Sequence, residues 1–309
     1  SHSQVLSYIY RKRMMDMKIV IAGGTGFVGT ELTKLLQKEG HEVVILTRHQ
    51  KANTAVQYVE WLTANSKPEK HVGDADVFIN LAGVSINDGR WTKKHQQAIY
   101  TSRMEATDAL LQLMTSLPKK NRTLINASAI GLYPASLHAI YTAESTKVAD
   151  DFLAKTVFDW ERKATQAKTE HTRVVCTRFG VILGEKEGAL PLIAMPYKLY
   201  AGGPVGSGEQ WLSWIHVEDV ARAILFAIEH HNIEGAINLT APHPKKMTDF
   251  GRTIANVLHK PYWLPAPSLL MKIALGKKSD LVLKGQQVYP NVLLENGFTF
   301  TYPTLDVAL

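Results

Sequence analysis

A glycine-rich loop, GGTGFVG at Gly23–Gly29, stands between a β-branched run, MKIVIAG from Met17, and a segment carrying apolar Phe27, Val28, Leu32, Leu35 and Leu36 at helical spacing. Gly40 ends that helix, and HEVVILTR supplies a second apolar strand directly behind it. Strand, glycine turn, helix and strand in this order predict a right-handed parallel β-α-β crossover.

Within such a unit Gly23 makes the tight turn, Gly26 lets backbone approach a pyrophosphate, and Gly29 packs helix against strand. The helix N-terminus adds free N–H groups and the positive end of its dipole. Gly23, Gly24, Thr25, Gly26, Phe27, Val28 and Gly29 are therefore expected to bind a dinucleotide cofactor. The second strand ends Thr47-Arg48. An acidic residue there would accept the ribose hydroxyls, whereas an arginine pairs with a 2′-phosphate, so Arg48 points to NADP(H) rather than NAD.

The 309 residues, 45% of them hydrophobic, can bury a large core in one large domain or two smaller ones. No apolar run nears the roughly 20 residues of a membrane span, and no secretory signal is evident, so a cytoplasmic protein with no membrane partner is expected. The single cysteine, Cys176, excludes an internal disulfide and reads as a buried thiol. The formal charge is +7, but apart from Arg11–Arg13 the basic residues are scattered, which argues against a nucleic-acid partner. Residues 1–16 read as an extension or an expression remnant outside the fold. No His, Cys or carboxylate cluster has metal-ligand spacing, so no metal is expected.

Further motifs follow in order: NLAG at 80–83, NASAIGLY at 126–133, RFGVILG at 178–184 and SWIHVEDVARAI at 213–224. With the glycine loop they make the chain resemble an extended short-chain dehydrogenase/reductase over nearly its whole length. WTKKHQQAIYTSR, DFLAKTVFDWE, GGPVGSGEQWLSWIH, NLTAPHP and LKGQQVYPNVLLENGFTFTYP are similar to the bacterial epimerase-family proteins labelled NAD-dependent epimerase/dehydratase, related to a branch linked to cell and chloroplast division. The last string resembles that subfamily's small C-terminal domain. The resemblance implies an α/β Rossmann fold, a doubly wound parallel sheet of seven strands, with a smaller substrate-binding region on the C-terminal side. Residues 17–180, rejoined by 213–240, would form the dinucleotide-binding domain, and 181–212 with 241–309 the substrate region. It also places Leu81, Ala82 and Gly83 beside the cofactor. Strand-like runs at 76–81, 122–127 and 172–178, alternating with helix-like segments near 92–116, 149–168 and 217–230, support the same architecture independently.

The catalytic pattern departs from the resemblance. Related enzymes use a tyrosine acid/base with a lysine four residues later on one helix, and a serine or threonine to hold the substrate oxygen. Ser128 matches that serine, although counting back from Tyr133 puts Ala129 there. The helix DDFLAKTVFDWERKA contains no tyrosine: with Glu161 as anchor, the tyrosine position reads Leu153 and the lysine position Val157. Ser128 and Tyr133 are the catalytic candidates, with Tyr141, Lys155 and Asp159 as other donors nearby. Against these readings, Tyr133 would pack near the cofactor region, and Lys155 with Asp159, at i and i+4, would pair with each other.

The resemblance also places an asparagine and an arginine for a nucleotide diphosphate where this chain has Val181 and Leu212, which makes a nucleotide sugar a poor fit. The loop 202–216 offers Gln210, Trp211 and Trp214 instead. Arg103, Gln210 and Trp211 are the substrate candidates, whereas Trp214 and His216 read as interior. Lys284, Gln286 and Gln287 are available to the cleft from the C-terminal segment. Two functions compete: an NADP(H)-dependent oxidoreductase or epimerase acting on a small molecule without the usual Tyr-Lys pair, and a catalytically silent NADP(H)-sensing protein with a regulatory role. A homodimer stays open.

Overall fold

The computed structural model describes residues 16–49, 51–52, 54–118 and 121–309. Residues 1–15, including Arg11–Arg13, lie outside the described residues. Seven parallel strands form one sheet: β1 (Lys18–Ala22), β2 (Glu42–Thr47), β3 (Gln57–Glu60), β4 (Val77–Asn80), β5 (Arg122–Ala129), β6 (Thr172–Phe179) and β7 (Gly235–Leu239). Their spatial order is β7-β6-β5-β4-β1-β2-β3. Chain direction across the sheet reverses between β1 and β4, the position at which doubly wound folds open a crevice for ligands.

Alternation along each strand feeds two cores. Ile19 and Ile21 of β1 pack with Leu32 and Leu36 of α1 (Phe27–Lys38). Val20 and Ala22 face the other way, toward Leu110 and Met114 of α2 (Lys93–Ser116). Each fully buried aliphatic side chain contributes about 1.5–3 kcal/mol, so the period-2 pattern of β1 alone fixes its register.

Strand β5 runs two residues beyond the expected 122–127, because its pairing with β6 continues to Ala129↔Phe179. Helix α3 (Phe152–Thr165) starts later than 149, where the Asp151 side chain accepts a 2.8 Å hydrogen bond from the Ala154 N–H and caps it. A third core gathers Tyr197 of α4 (Leu190–Lys198), Trp214, Phe250 and Ile254 of α6 (Met247–Leu258), and Leu305 near the C-terminus. Between these helices α5 (Val217–Glu229) returns to the large sheet and packs Val220 and Ile224 into the first core.

The C-terminal segment is threaded through both parts. Gln287–Val288 pairs in parallel with Ile140–Tyr141, and Leu293, Phe298 and Phe300 join the core beneath α5. Asp219, fully buried, accepts from the Thr301 and Tyr302 amides at 2.9 and 2.8 Å and so clamps the tail to α5. Among the described residues, no helix is long and apolar enough to cross a membrane, and no group of three His, Cys, Asp or Glu is placed to hold a metal ion.

Candidate functional site

The glycine loop bridges β1 and α1 at the C-terminal edge of the sheet. Gly26 is the N-cap of α1 and supplies no side-chain cap, so the first-turn N–H groups of the helix are left for an external acceptor. The three glycines divide as their spacing predicts. Gly23 has φ +79°, and a Cβ there would lie 2.6 Å from the Leu81 carbonyl carbon. A Cβ on Gly29 would lie 2.5 Å from the Gly23 carbonyl oxygen, which is the helix-to-turn packing role. A Cβ on Gly26 would meet only that oxygen, at 3.5 Å, so the space above it is open. An anionic pyrophosphate fits this cradle of backbone and positive dipole.

Phe27 turns from the loop into a seat made by two other glycines: a Cβ on Gly184 or Gly188 would lie 2.5 or 2.7 Å from its ring. The loop is thereby locked to the segment after Val181–Leu183. Thr25 and Gly26 are exposed, Val28 is half-buried, and Gly24 packs on Ile45 of β2. Arg48 stands exposed just past the end of β2, on the same edge of the sheet.

The floor of the crevice is the end of β4. Leu81 donates to the Ala22 carbonyl at 2.8 Å, continuing the ladder beside β1. Beneath it lies a polar network that sequence reasoning did not single out. Asn80 Nδ2 donates to Asn126 Oδ1 at 2.8 Å and to Thr107 Oγ1 at 2.9 Å, while Asn80 Oδ1 accepts from the Ala82 N–H at 3.3 Å. Trp160 Nε1 donates to the same threonine hydroxyl at 3.0 Å. All three polar residues are buried and satisfied, so Leu81, Ala82 and Gly83 rest on a rigid base. The available signal was a pair of asparagines at the ends of otherwise apolar strands, in VFIN and RTLIN.

Ser128 and Tyr133 lie in a second network, turned away from solvent. The Ser128 hydroxyl, 2% exposed, donates to Glu161 Oε1 of α3. Arg178 at the end of β6 holds the same carboxylate through Nε and Nη2, and its Nη1 donates to the Tyr133 phenol at 2.8 Å. That phenol in turn donates to Asn238 Oδ1 at 2.7 Å. Its ring, 1% exposed, stacks on Tyr141 at 4.9 Å, and burial pushes its pKa up. Tyr133 thus packs against Tyr141 and the C-terminal segment rather than the cofactor loop. Leu153 sits beside Gly131, where a Cβ would meet its Cδ2 at 2.7 Å, and Val157 is buried, so both relay positions carry aliphatic side chains. Lys155 and Asp159 pair at 2.6 Å, and Tyr100 donates to the same carboxylate at 2.8 Å, which draws the Asp159 pKa down.

The substrate candidates occupy different settings. Gln210 is buried, and its Nε2 donates to the Val205 and Val282 carbonyls at 3.1 and 2.8 Å, joining two chain segments. Trp211 is half-buried and donates to the Leu137 carbonyl at 2.9 Å. Trp214 is fully buried in the third core. Gln286 ties the Ile130 and Tyr133 carbonyls, and Lys284 pairs with Asp280. Arg103 alone among the candidates touches the crevice floor: its Nη1 donates to the Val84 carbonyl at 3.0 Å and the Ile99 carbonyl at 3.1 Å. His216 caps α5, its Nδ1 accepting from the Glu218 N–H at 3.2 Å.

Residues 19–239 match the NAD dependent epimerase/dehydratase family, and residues 266–309 match a domain of unknown function, DUF1731. The chain is 46% identical over 295 residues to the epimerase family protein YfhF of Bacillus subtilis, covering 95% of this chain and 97% of that one. An epimerase family protein of Staphylococcus epidermidis is 42% identical, covering 94% and 97%. In structure the chain is similar to the human epimerase family protein SDR39U1 with NADPH, at TM-score 0.86 and 33% identity, covering 94% of this chain and 97% of that one. It is also similar to a nucleoside-diphosphate sugar epimerase from Corynebacterium glutamicum, at TM-score 0.76 and 30% identity, covering 98% of this chain and 60% of that one. With that match spanning more than half its length on a seven-stranded Rossmann sheet, the chain belongs to the NAD dependent epimerase/dehydratase family.

Proposed function

We propose that the protein binds NADP(H) across the C-terminal ends of β1, β2 and β4 and passes a hydride between that cofactor and a small molecule without a tyrosine acid. The observation that carries the binding half is the open space above Gly26 at an uncapped helix N-terminus. The loop N–H groups hold the pyrophosphate, Leu81–Gly83 form the floor, and exposed Arg48 takes the 2′-phosphate. NADPH in the human relative supports the same choice of cofactor.

When bound, NADPH supplies a hydride. At the positions where the resemblance places the serine, tyrosine and lysine, this chain carries Ser128 or Ala129, Leu153 and Val157, so no tyrosine–lysine pair supplies a proton there. A substrate suited to a site without that donor accepts hydride into a delocalised, weakly basic anion and takes its proton from solvent. Conjugated carbonyls such as quinones meet this requirement: quinone, NADPH and a proton give quinol and NADP⁺. Simple aldehydes and ketones, whose alkoxides need an acid at hand, do not. Loading the protein with NADPH and following nicotinamide absorbance across aldehydes, ketones and quinones tests the reading, with turnover expected for quinones. A specific observation supports the silent sensor as the second reading, since the Ser128 hydroxyl and Tyr133 phenol are both consumed by internal partners. Tight NADPH binding with no turnover on any acceptor selects it. Arg48→Ala tests the cofactor preference: NADPH affinity falls by about 10–100-fold, a charge-assisted contact being worth about 1.5–3 kcal/mol, while NADH affinity holds.

A further inference from the structure

Arg103 is a half-buried cation with no counter-ion among the described residues. It rises from α2 into the space between the α-carbon of Gly83 and the ring of Trp160, whose centroid is 5.0 Å from its Cζ. A Cβ on Gly83 would lie 2.9 Å from that Cζ, so the guanidinium lies directly against the crevice floor. Its two carbonyl bonds use both protons of Nη1, which leaves Nε–H and the two Nη2–H donors. Among the described residues no carboxylate lies within ion-pair distance of it and no acceptor meets those donors. Desolvation pushes its pKa down to about 10, the direction expected of a partly desolvated cation with no anion nearby.

The position of this charge relative to the glycine loop is fixed by contact. Gly23 rests on the Leu81 carbonyl, Leu81 leads through Ala82 to Gly83, and Gly83 rests on Arg103. The loop Gly23–Thr30 carries no basic side chain of its own, and Lys34, one turn further on, lies toward Glu31 at 3.8 Å. The dipoles of the glycine loop thus stand on one side of the crevice and the Arg103 guanidinium lies against its floor at Gly83.

We infer that Arg103 is the cation that neutralises the cofactor's pyrophosphate, reaching it past Gly83, so that dinucleotide binding completes a charge pair the apoprotein lacks. This rests on the proposed NADP(H) reading and deepens it. It separates two tasks: Arg48 selects the 2′-phosphate, and Arg103 serves NADPH and NADH alike.

The test compares Arg103→Gln, which keeps a donor for the carbonyls but no charge, with Arg103→Lys, which keeps the charge. Affinities are measured for NADPH, NADH and adenosine 2′,5′-bisphosphate, which lacks the second phosphate of the pyrophosphate. The expected result for Arg103→Gln is a loss of about 10–100-fold for both dinucleotides, with their ratio unchanged and the bisphosphate within about threefold, as one charge-assisted contact requires. Arg103→Lys stays within about fivefold of wild type because a point charge retains most of the attraction. Dinucleotide affinities unchanged in Arg103→Gln, or an equal loss for the bisphosphate, overturn the assignment. In the wild-type protein, where no variant has to fold, the ¹⁵N resonance of Arg103 Nε should shift on adding NADP⁺ and not on adding the bisphosphate; an unmoved resonance overturns the assignment too. Wild type that binds neither dinucleotide removes the cofactor reading itself, whereas wild-type binding with an indifferent Arg103→Gln removes only the role of Arg103.

Discussion

Arg178 grips Glu161 with two hydrogen bonds, Nε to Oε1 at 2.8 Å and Nη2 to Oε2 at 2.9 Å, joining the end of β6 to α3 beneath the site. The side chains are 9% and 15% exposed, so solvent screens the pair weakly. Removing the cation leaves a buried carboxylate with only the Ser128 hydroxyl as donor, and Arg178→Met is expected to lower stability by about 3–5 kcal/mol in urea unfolding. Combining it with Glu161→Leu should recover most of that loss, because an apolar pair is nearly as stable as a buried ion pair. Additive losses in the double variant would show that the pair is not coupled.

The same network makes a prediction for Tyr133. Its phenol accepts from Arg178 and donates to Asn238, so Tyr133→Phe strands two buried groups and should cost about 1–3 kcal/mol of stability. Because the ring lies on Tyr141 and not at the crevice, any hydride transfer by the protein should survive the substitution within a few-fold. A loss of turnover by several orders of magnitude with stability intact would make Tyr133 the proton donor.

Two glycines of one loop should respond in opposite ways to the same change. Gly29→Ala places a methyl 2.5 Å from the Gly23 carbonyl oxygen, and the protein should lose stability even without ligand. Gly26→Ala meets nothing closer than 3.5 Å at an ordinary φ of −78°, so the fold should persist while NADPH affinity falls at least about tenfold from the filled cradle. Thermal midpoints and cofactor titrations on both variants separate packing from binding.

The fold was legible because the β-α-β unit repeats a period that each element needs for burial. VFIN and RTLIN read as strands from their β-branched and apolar content alone, and the sheet followed. The glycine loop was legible because backbone geometry, rather than a side chain, makes the site. What the sequence concealed was direction. Ser128 and Ala129 are neighbours, and only the pleat of β5 decides that Ser128 points under α3 toward Glu161. Tyr133 and Asn238 are 105 residues apart, and no local pattern connects them. Arg103 was visible as a candidate, but that its guanidinium packs against Gly83 depends on how α2 leans on the end of β4.

His216 couples pH to the attachment of the C-terminal tail. Its Nδ1 accepts the Glu218 amide as the cap of α5, and its ring stacks on Tyr302 at 3.8 Å. Desolvation lowers its pKa below the ordinary 6.5, opposed in part by Glu218, Asp219 and Glu31. The unfolded chain therefore takes up the proton first as pH falls, so this contribution is present above about pH 6.5 and is lost below it. The thermal midpoint should drop between pH 7.5 and 5.5. His216→Asn keeps a cap acceptor without titrating, and it should flatten that drop. An unchanged slope would assign the acid sensitivity elsewhere.

Cys176 lies 4% exposed on β6, and burial pushes its thiol from 9.0 up to about 12. The thiolate is the reactive species, so at pH 8 the native protein should resist a disulfide reagent that modifies the urea-unfolded chain within minutes. Labelling of the native protein then reports opening of the sheet, and its rate should rise in the Arg178→Met variant by the factor that its stability loss dictates. The linkage runs toward alkali: the unfolded thiol loses its proton from about pH 9 while the folded one keeps it, so stability declines as pH rises from 9 toward 12. Cys176→Ala should remove that share of the alkaline decline, at a packing cost visible at neutral pH. Rapid native labelling at pH 8 would place the thiol outside the core described for it.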